Sequence, residues 1–235
     1  MKCADPRNEA RLGGALYVMV IMTAFFAELF VRSSLIVPNN PAATAHNILA
    51  SERLYRLGGL ADLVNLSCDI GVAIVLYDLL KPVDRSIALA AATFRIAFDV
   101  GLAGATVFHF APLYLLKGSP YVAAFSAAQA QSLGYEMLQI HNLGYNLFLI
   151  FFAVHLLLVG YLIIRSTYLP RLLGILLLVT GLCYLANSIL PLAFPEVATS
   201  FYLLLPGLIS EFALAGWLLI RGVNIVKWRE MDPIR

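Results

Sequence analysis

His141 and His155 stand fourteen residues apart in HNLGYNLFLIFFAVHLLL, residues 141–158, one of the most apolar stretches of the chain. On a helix that separation is close to four turns, so both rings leave one face about 21 Å apart. This is the spacing of haem ligands on a spanning helix of a membrane cytochrome. A two-haem ladder, however, needs a second histidine opposite each, and only His46 and His109 remain. His109 can stand opposite His141, which leaves His155 without a partner, so the ladder fails by counting. A single haem on His109 and His141 stays open. So does a metal held by His109, His141 and an acid such as Asp99, Asp62 or Glu28, since catalytic zinc takes three N or O ligands and keeps one position for water. Neither HxxxH nor HExxH occurs. His155 reads as a packing histidine hydrogen-bonded to a neighbouring helix, or as one at the inner interface.

The carboxylates carry a stronger pattern. Asp62, Asn65 and Asp69 fall at i, i+3 and i+7, one face of a helix. Arg95 and Asp99 fall at i, i+4, and Thr106 and His109 continue their face. His141 and Tyr145 share a face, with Asn142 and Asn146 beside it; Glu28, Asn187 and Glu211 also lie in apolar surroundings. Ionisable groups in hydrocarbon are costly and turn toward the bundle interior.

Counting depth at about 1.5 Å per residue places Asp69, Arg95 and Glu211 near the midplane of a bilayer. Asp62, Asp99, Glu28, His141 and Asn187 come out nearer one surface, and His155 nearer the other. A net acidic pocket in the outer half follows, with Arg95 at its floor. One arginine does not neutralise Glu28, Asp62, Asp69, Asp99 and Glu211; the surplus acids must be hydrated, protonated or matched by a ligand or cation. The expected binding set is therefore Glu28, Asp62, Asn65, Asp69, Arg95, Asp99, His141, Tyr145, Asn146 and Glu211.

The elements that hold these residues are membrane spans. Of the 235 residues 61% are hydrophobic and 13% charged, against about 25% charged in a soluble domain. Six segments reach the roughly 20 apolar residues that crossing a bilayer requires. They run from about Leu12 to Val31, Leu57 to Leu80, Ser86 to Phe110, Met137 to Ile164, Arg171 to Leu190 and Ser200 to Ile225. The expected fold is an all-α, six-helix bundle forming a single domain over 1–235. Pro38-Asn39-Asn40-Pro41 reads as a turn, followed by a short amphipathic helix at the interface. The loop between the third and fourth spans is long enough for a second one.

Basic residues set an orientation. Lys2, Arg7, Arg11, Lys81, Arg85, Arg165, Arg171, Arg221, Lys227, Arg229 and Arg235 fall on one side; Arg32, Arg53, Arg56 and Lys117 fall on the other. The positive-inside rule then puts both termini in the cytoplasm. Tyr168 and Trp228 come out near the inner boundary, where such rings are favoured. The first apolar segment follows Lys2, Arg7 and Arg11 as in a signal peptide, but it is long and lacks a small-x-small site, so it reads as an uncleaved span. Cys3, Cys68 and Cys183 show no CxxC spacing and suggest no disulfide framework. A net charge of +2 gives no case for nucleic acid.

Three runs together resemble a bacterial multi-pass membrane family known as domain of unknown function 4386. They are AELFVRSSLIVPNNPAATAHNILASERLYRLGGLADL, LYDLLKPVDRSIALAAATFR and GYNLFLIFFAVHLLLVGYLIIRSTYLPRLLGILL, including the Lys81-Pro82 and Tyr168-Leu169-Pro170-Arg171 junctions. The resemblance implies a polytopic protein of the bacterial cytoplasmic membrane and brings no substrate, cofactor or catalytic residue. From the residues themselves, the expected function is binding or transport of a small polar or cationic species, or of protons, through an outward-opening acidic cavity. An intramembrane metal-assisted hydrolase acting on a lipid or other amphiphile is the alternative, and a structural or sensory membrane subunit a third. The lipid bilayer is the expected partner; cofactor and oligomeric state stay open.

Overall fold

The computed structural model describes residues 5–118, 124–194, 196–197 and 200–231. Lys2, Cys3, Pro195 and Arg235 lie outside them. All regular structure among the described residues is helical. Helix α1 (Pro6–Phe25) runs on through a π-helical segment (Phe26–Arg32) into α2 (Ser33–Leu35). Then come α3 (Pro41–Ala50), α4 (Glu52–Leu80), α5 (Arg85–Leu116), α6 (Ala127–Arg165), α7 (Arg171–Ala193), α8 (Phe201–Ile220) and α9 (Ile225–Met231). Six of these helical stretches are long and apolar enough to cross a membrane. Leu12, Met22, Phe30, Val107, Leu172 and Ile220 are exposed, while Asp69, Arg95 and Asp99 are buried. Apolar side chains outside and charges inside suit lipid as the surrounding solvent. The chain is a multi-pass membrane protein.

The start of α3 follows from the chemistry of its sequence. Asn39 takes a left-handed φ of 56° in the Pro-Asn-Asn-Pro turn, which Asn tolerates better than most residues. Asn40 then caps α3, its side chain accepting from the Ala43 amide at 3.0 Å, with Pro41 in the first turn. The helix expected in the first long loop is thus α3. The second long loop has no separate helix among its described residues. Its apolar ends instead prolong the spans that flank it, α5 to Leu116 and α6 back to Ala127. At 39 residues α6 is about 58 Å long, well beyond a hydrocarbon core of about 30 Å.

Contacts group the chain into two compact units, and the change of membership falls inside α1, α4, α5 and α6. The first unit comprises Met1–Met19, Ser67–Asp99 and Asn146–Arg235. Small residues let its helices touch. A Cβ on Gly14 would run into the backbone nitrogen of Leu219, and Cβ atoms on Gly160 and Gly174 would each meet the other's carbonyl oxygen at 2.7 and 2.6 Å. This is the small-residue packing by which membrane helices approach closely. Tyr168 and Trp228 are buried, and both donate to the Leu79 carbonyl, at 2.7 and 2.9 Å. They supply partners to the last turn of α4, whose carbonyls have none within the helix. Cys68 and Cys183 are free thiols.

The second unit comprises Val20–Leu66 and Val100–Tyr145. Val31, Leu35, Ile48, Tyr55, Leu113 and Leu138 form its core. The Tyr135 hydroxyl accepts from the Asn39 amide at 2.9 Å, tying the first long loop to α6.

Candidate functional site

Arg95 is the organising residue of the first unit. It sits on α5 with no solvent exposure at all, so each of its N–H groups needs a partner in the protein. Asp69 of α4 receives two of them: Arg95 Nε donates to Oδ2 at 2.8 Å, and Nη2 donates to Oδ1. This is the bidentate guanidinium–carboxylate fork. Arg95 Nη1 lies 2.9 Å from His155 Nε2 of α6, and His155 Nδ1 lies 2.9 Å from the Ala91 carbonyl. A carbonyl only accepts and a guanidinium only donates, so the tautomer follows: Nδ1 carries the proton and Nε2 accepts from Arg95. The guanidinium is stacked between Tyr17 and Phe152, 4.8 and 5.1 Å from their ring centres, where cation–π attraction adds to the ion pair.

Two further carboxyls stand in this group. Asp99, one turn beyond Arg95 on α5, is 1% exposed and lies near enough to Asp69 for the two carboxyls to interact electrostatically. Neither of its oxygens has a donor. Glu211 of α8 is half-buried, accepts from the Tyr184 hydroxyl at 3.1 Å, and lies within electrostatic range of Arg95, Asp69 and Tyr17. Three carboxyls thus face one guanidinium, with His155 neutral. Arg95 is stacked between two rings, and Asp69, Arg95 and Asp99 are all buried.

The second unit holds a separate polar group. Arg32, at the end of the π-helical segment, donates from Nη1 and Nη2 to the Asp62 carboxylate at 2.8 and 3.0 Å, and from Nε to Glu28 at 2.7 Å. Asn65 Nδ2 donates to the Val20 carbonyl at 2.6 Å and the Thr23 hydroxyl at 3.1 Å. Tyr55 and His109 stack with ring centres 4.3 Å apart and bond reciprocally: the Tyr55 hydroxyl donates to the His109 carbonyl, and His109 Nε2 donates to the Tyr55 carbonyl at 3.1 Å. His141 Nδ1 donates to the Ala105 carbonyl at 3.0 Å, and the two imidazole centres are 5.8 Å apart.

A family model for a domain of unknown function, DUF4386, matches residues 12–222 of this chain. The chain belongs to that family. This DUF4386 chain is similar to a protein of Archaeoglobus fulgidus described as uncharacterized. The two are 30% identical over 169 residues, which are 72% of this chain and 85% of that protein. No solved structure matches.

Placed in this DUF4386 chain, the ten expected binding residues divide. Asp69, Arg95, Asp99, Asn146 and Glu211 belong to the first unit; Glu28, Asp62, Asn65, His141 and Tyr145 belong to the second. Asn146 accepts from Asn187 at 3.4 Å, and the Tyr145 side chain is 38% exposed. The charge surplus is smaller than one arginine implies. A first span closed at Val31 puts Arg32 in the outer loop; the helix in fact continues to Leu35, and Arg32 matches both Glu28 and Asp62. Among the described residues no three His, Cys, Asp or Glu side chains converge as metal ligands would, and Asp99 belongs to a different unit from His109 and His141.

Sequence reasoning misses Tyr17, Tyr184 and His155. Depth sets His155 apart, yet it bonds to Ala91, one turn before Arg95 on α5. One turn is about 5.4 Å, a gap that the long arginine side chain spans. A signal is present: Ala91, Arg95 and Asp99 repeat at i, i+4, i+8 on one face. The two tyrosines carry none, since a lone Tyr in an apolar helix packs equally well as core.

Proposed function

We propose that this membrane protein binds and passes protons at the Asp69–Asp99 pair, with Arg95 holding the pair in place and Glu211 as the exchanging carboxyl. The observation that carries the reading is Asp99: enclosed, beside a carboxylate already paired with arginine, and with no donor to either oxygen. Two neighbouring ionised carboxylates repel, and leaving a buried charge unpaired is expensive. One proton between them supplies the missing hydrogen bond and leaves Asp69, Asp99 and Arg95 neutral as a group. A metal ion fits less well. It would face the Arg95 guanidinium, whose charge repels it. The wider expectation of a small polar or cationic cargo therefore narrows here to the proton.

The test is proton movement in vesicles. The purified chain is reconstituted with a pH-sensitive dye inside, and a potassium diffusion potential drives protons inward. The wild type acidifies the lumen faster than protein-free vesicles; Asp99→Asn and Glu211→Gln fall to that baseline, and Glu28→Gln does not. Equal rates in all four would contradict the reading.

A further inference from the structure

Glu211 is the least enclosed carboxyl of the cluster, and a file of polar groups leads away from it along α7. The Tyr184 hydroxyl donates to it at 3.1 Å. From Tyr184 the next residues on the same face are Asn187 and Ser188, at i+3 and i+4, each 1% exposed. Asn187 Oδ1 accepts from the backbone amide of Ser200, the residue that precedes α8, at 3.0 Å, and its Nδ2 donates to Asn146 at 3.4 Å. Ser188 Oγ is buried with no partner. Three polar side chains of α7 thus stand in sequence from the half-buried Glu211 carboxyl toward Ser200.

A purely structural account covers Asn187, which caps the turn before α8, but not Ser188. A buried hydroxyl without a partner is rare in a folded protein unless water completes it. Water between Ser188, Asn187 and Tyr184 would join the separate hydrogen bonds into one line. We infer that Tyr184, Asn187 and Ser188 form a narrow hydrated file through which protons reach Glu211 from the Ser200 end of α7. This rests on the proton-binding reading above. The transfer balances as a relay: a water at Ser188 gives up one proton toward Glu211 and takes one from the next water, so Glu211 gains one proton and the file is left unchanged.

Hydrogen–deuterium exchange of the cluster's own carboxylic acid tests this without requiring net transport. The full chain in lipid is moved from H2O to D2O, and the shift of the carboxylic C=O infrared band is timed. Ser188→Leu fills the file, and Tyr184→Phe removes the hydroxyl beside Glu211 at nearly constant shape. Each is expected to slow the shift about tenfold while leaving its final amplitude unchanged, and Ser188→Thr is expected to restore the wild-type rate. If Ser188→Leu fails to fold, Tyr184→Phe carries the test alone. A band that shifts at the wild-type rate in every folded variant overturns the file and leaves the proton site standing. No carboxylic band in the wild type overturns both.

Discussion

Arg95 and His155 fix each other's chemistry: the guanidinium donates to Nε2 at 2.9 Å, and this holds the imidazole in the tautomer that donates to the Ala91 carbonyl at 2.9 Å. The histidine is thereby a neutral acceptor for the arginine. Removing it with His155→Ala leaves a buried guanidinium N–H without a partner. A loss of about 1–3 kcal/mol is expected for the group left unsatisfied. It is read as a lower unfolding midpoint in mild detergent. His155→Gln, which retains an acceptor, is expected to recover some of the loss.

The two aspartates should respond unequally to the same substitution. Asp69→Asn removes the carboxylate paired with Arg95 and strands a buried cation, so a loss of about 3–5 kcal/mol is expected. Asp99→Asn places an amide N–H where the shared proton would lie, and that group can donate to Asp69. Its stability is expected to stay within about 1 kcal/mol of the wild type. Equal losses in the two variants, measured by chemical or thermal unfolding in lipid-like detergent, would count against the asymmetry.

Within the second unit, Arg32 serves two unequal partners. The Asp62 side chain is 12% exposed and forked to the guanidinium, while the Glu28 side chain is 65% exposed. Glu28→Gln is expected to cost under about 1 kcal/mol, as exposed ion pairs do. Asp62→Asn is expected to cost more than Glu28→Gln, and a thermal melt of the two variants side by side orders them.

Orientation follows from the distribution of Lys and Arg between the loops. Both termini are expected on the cytoplasmic side. Fusions of an enzyme active only in the cytoplasm should be active at residue 235 and at the Lys81-Pro82 junction, and inactive after Lys117. Activity after Lys117 would reverse the assignment.

Helix number and about half of the helix ends are legible in the sequence because length and apolar content decide whether a segment can cross lipid, and Pro41, Pro170 and the Asn40 cap mark starts. Depth along a helix, a simple product of residue count and rise, brings Asp69, Arg95 and Glu211 to one level, and the i, i+4 spacing adds Asp99 to Arg95. What depth does not supply is the direction in which a side chain leaves its helix. Arg32 is missed for another reason. A span counted as about twenty residues stops at Val31, whereas the π-helical segment carries the helix on to Leu35 with the arginine inside it.

Everything proposed for the first unit turns on the proton shared by Asp69 and Asp99, and infrared spectroscopy of the protein in lipid at neutral pH reads it most directly. A protonated carboxyl has a C=O band that a carboxylate lacks. Such a band is expected in the wild type and is expected to vanish in Asp99→Asn, with Glu28→Gln leaving it in place. A spectrum without that band, or one that Asp99→Asn does not change, would contradict the shared proton.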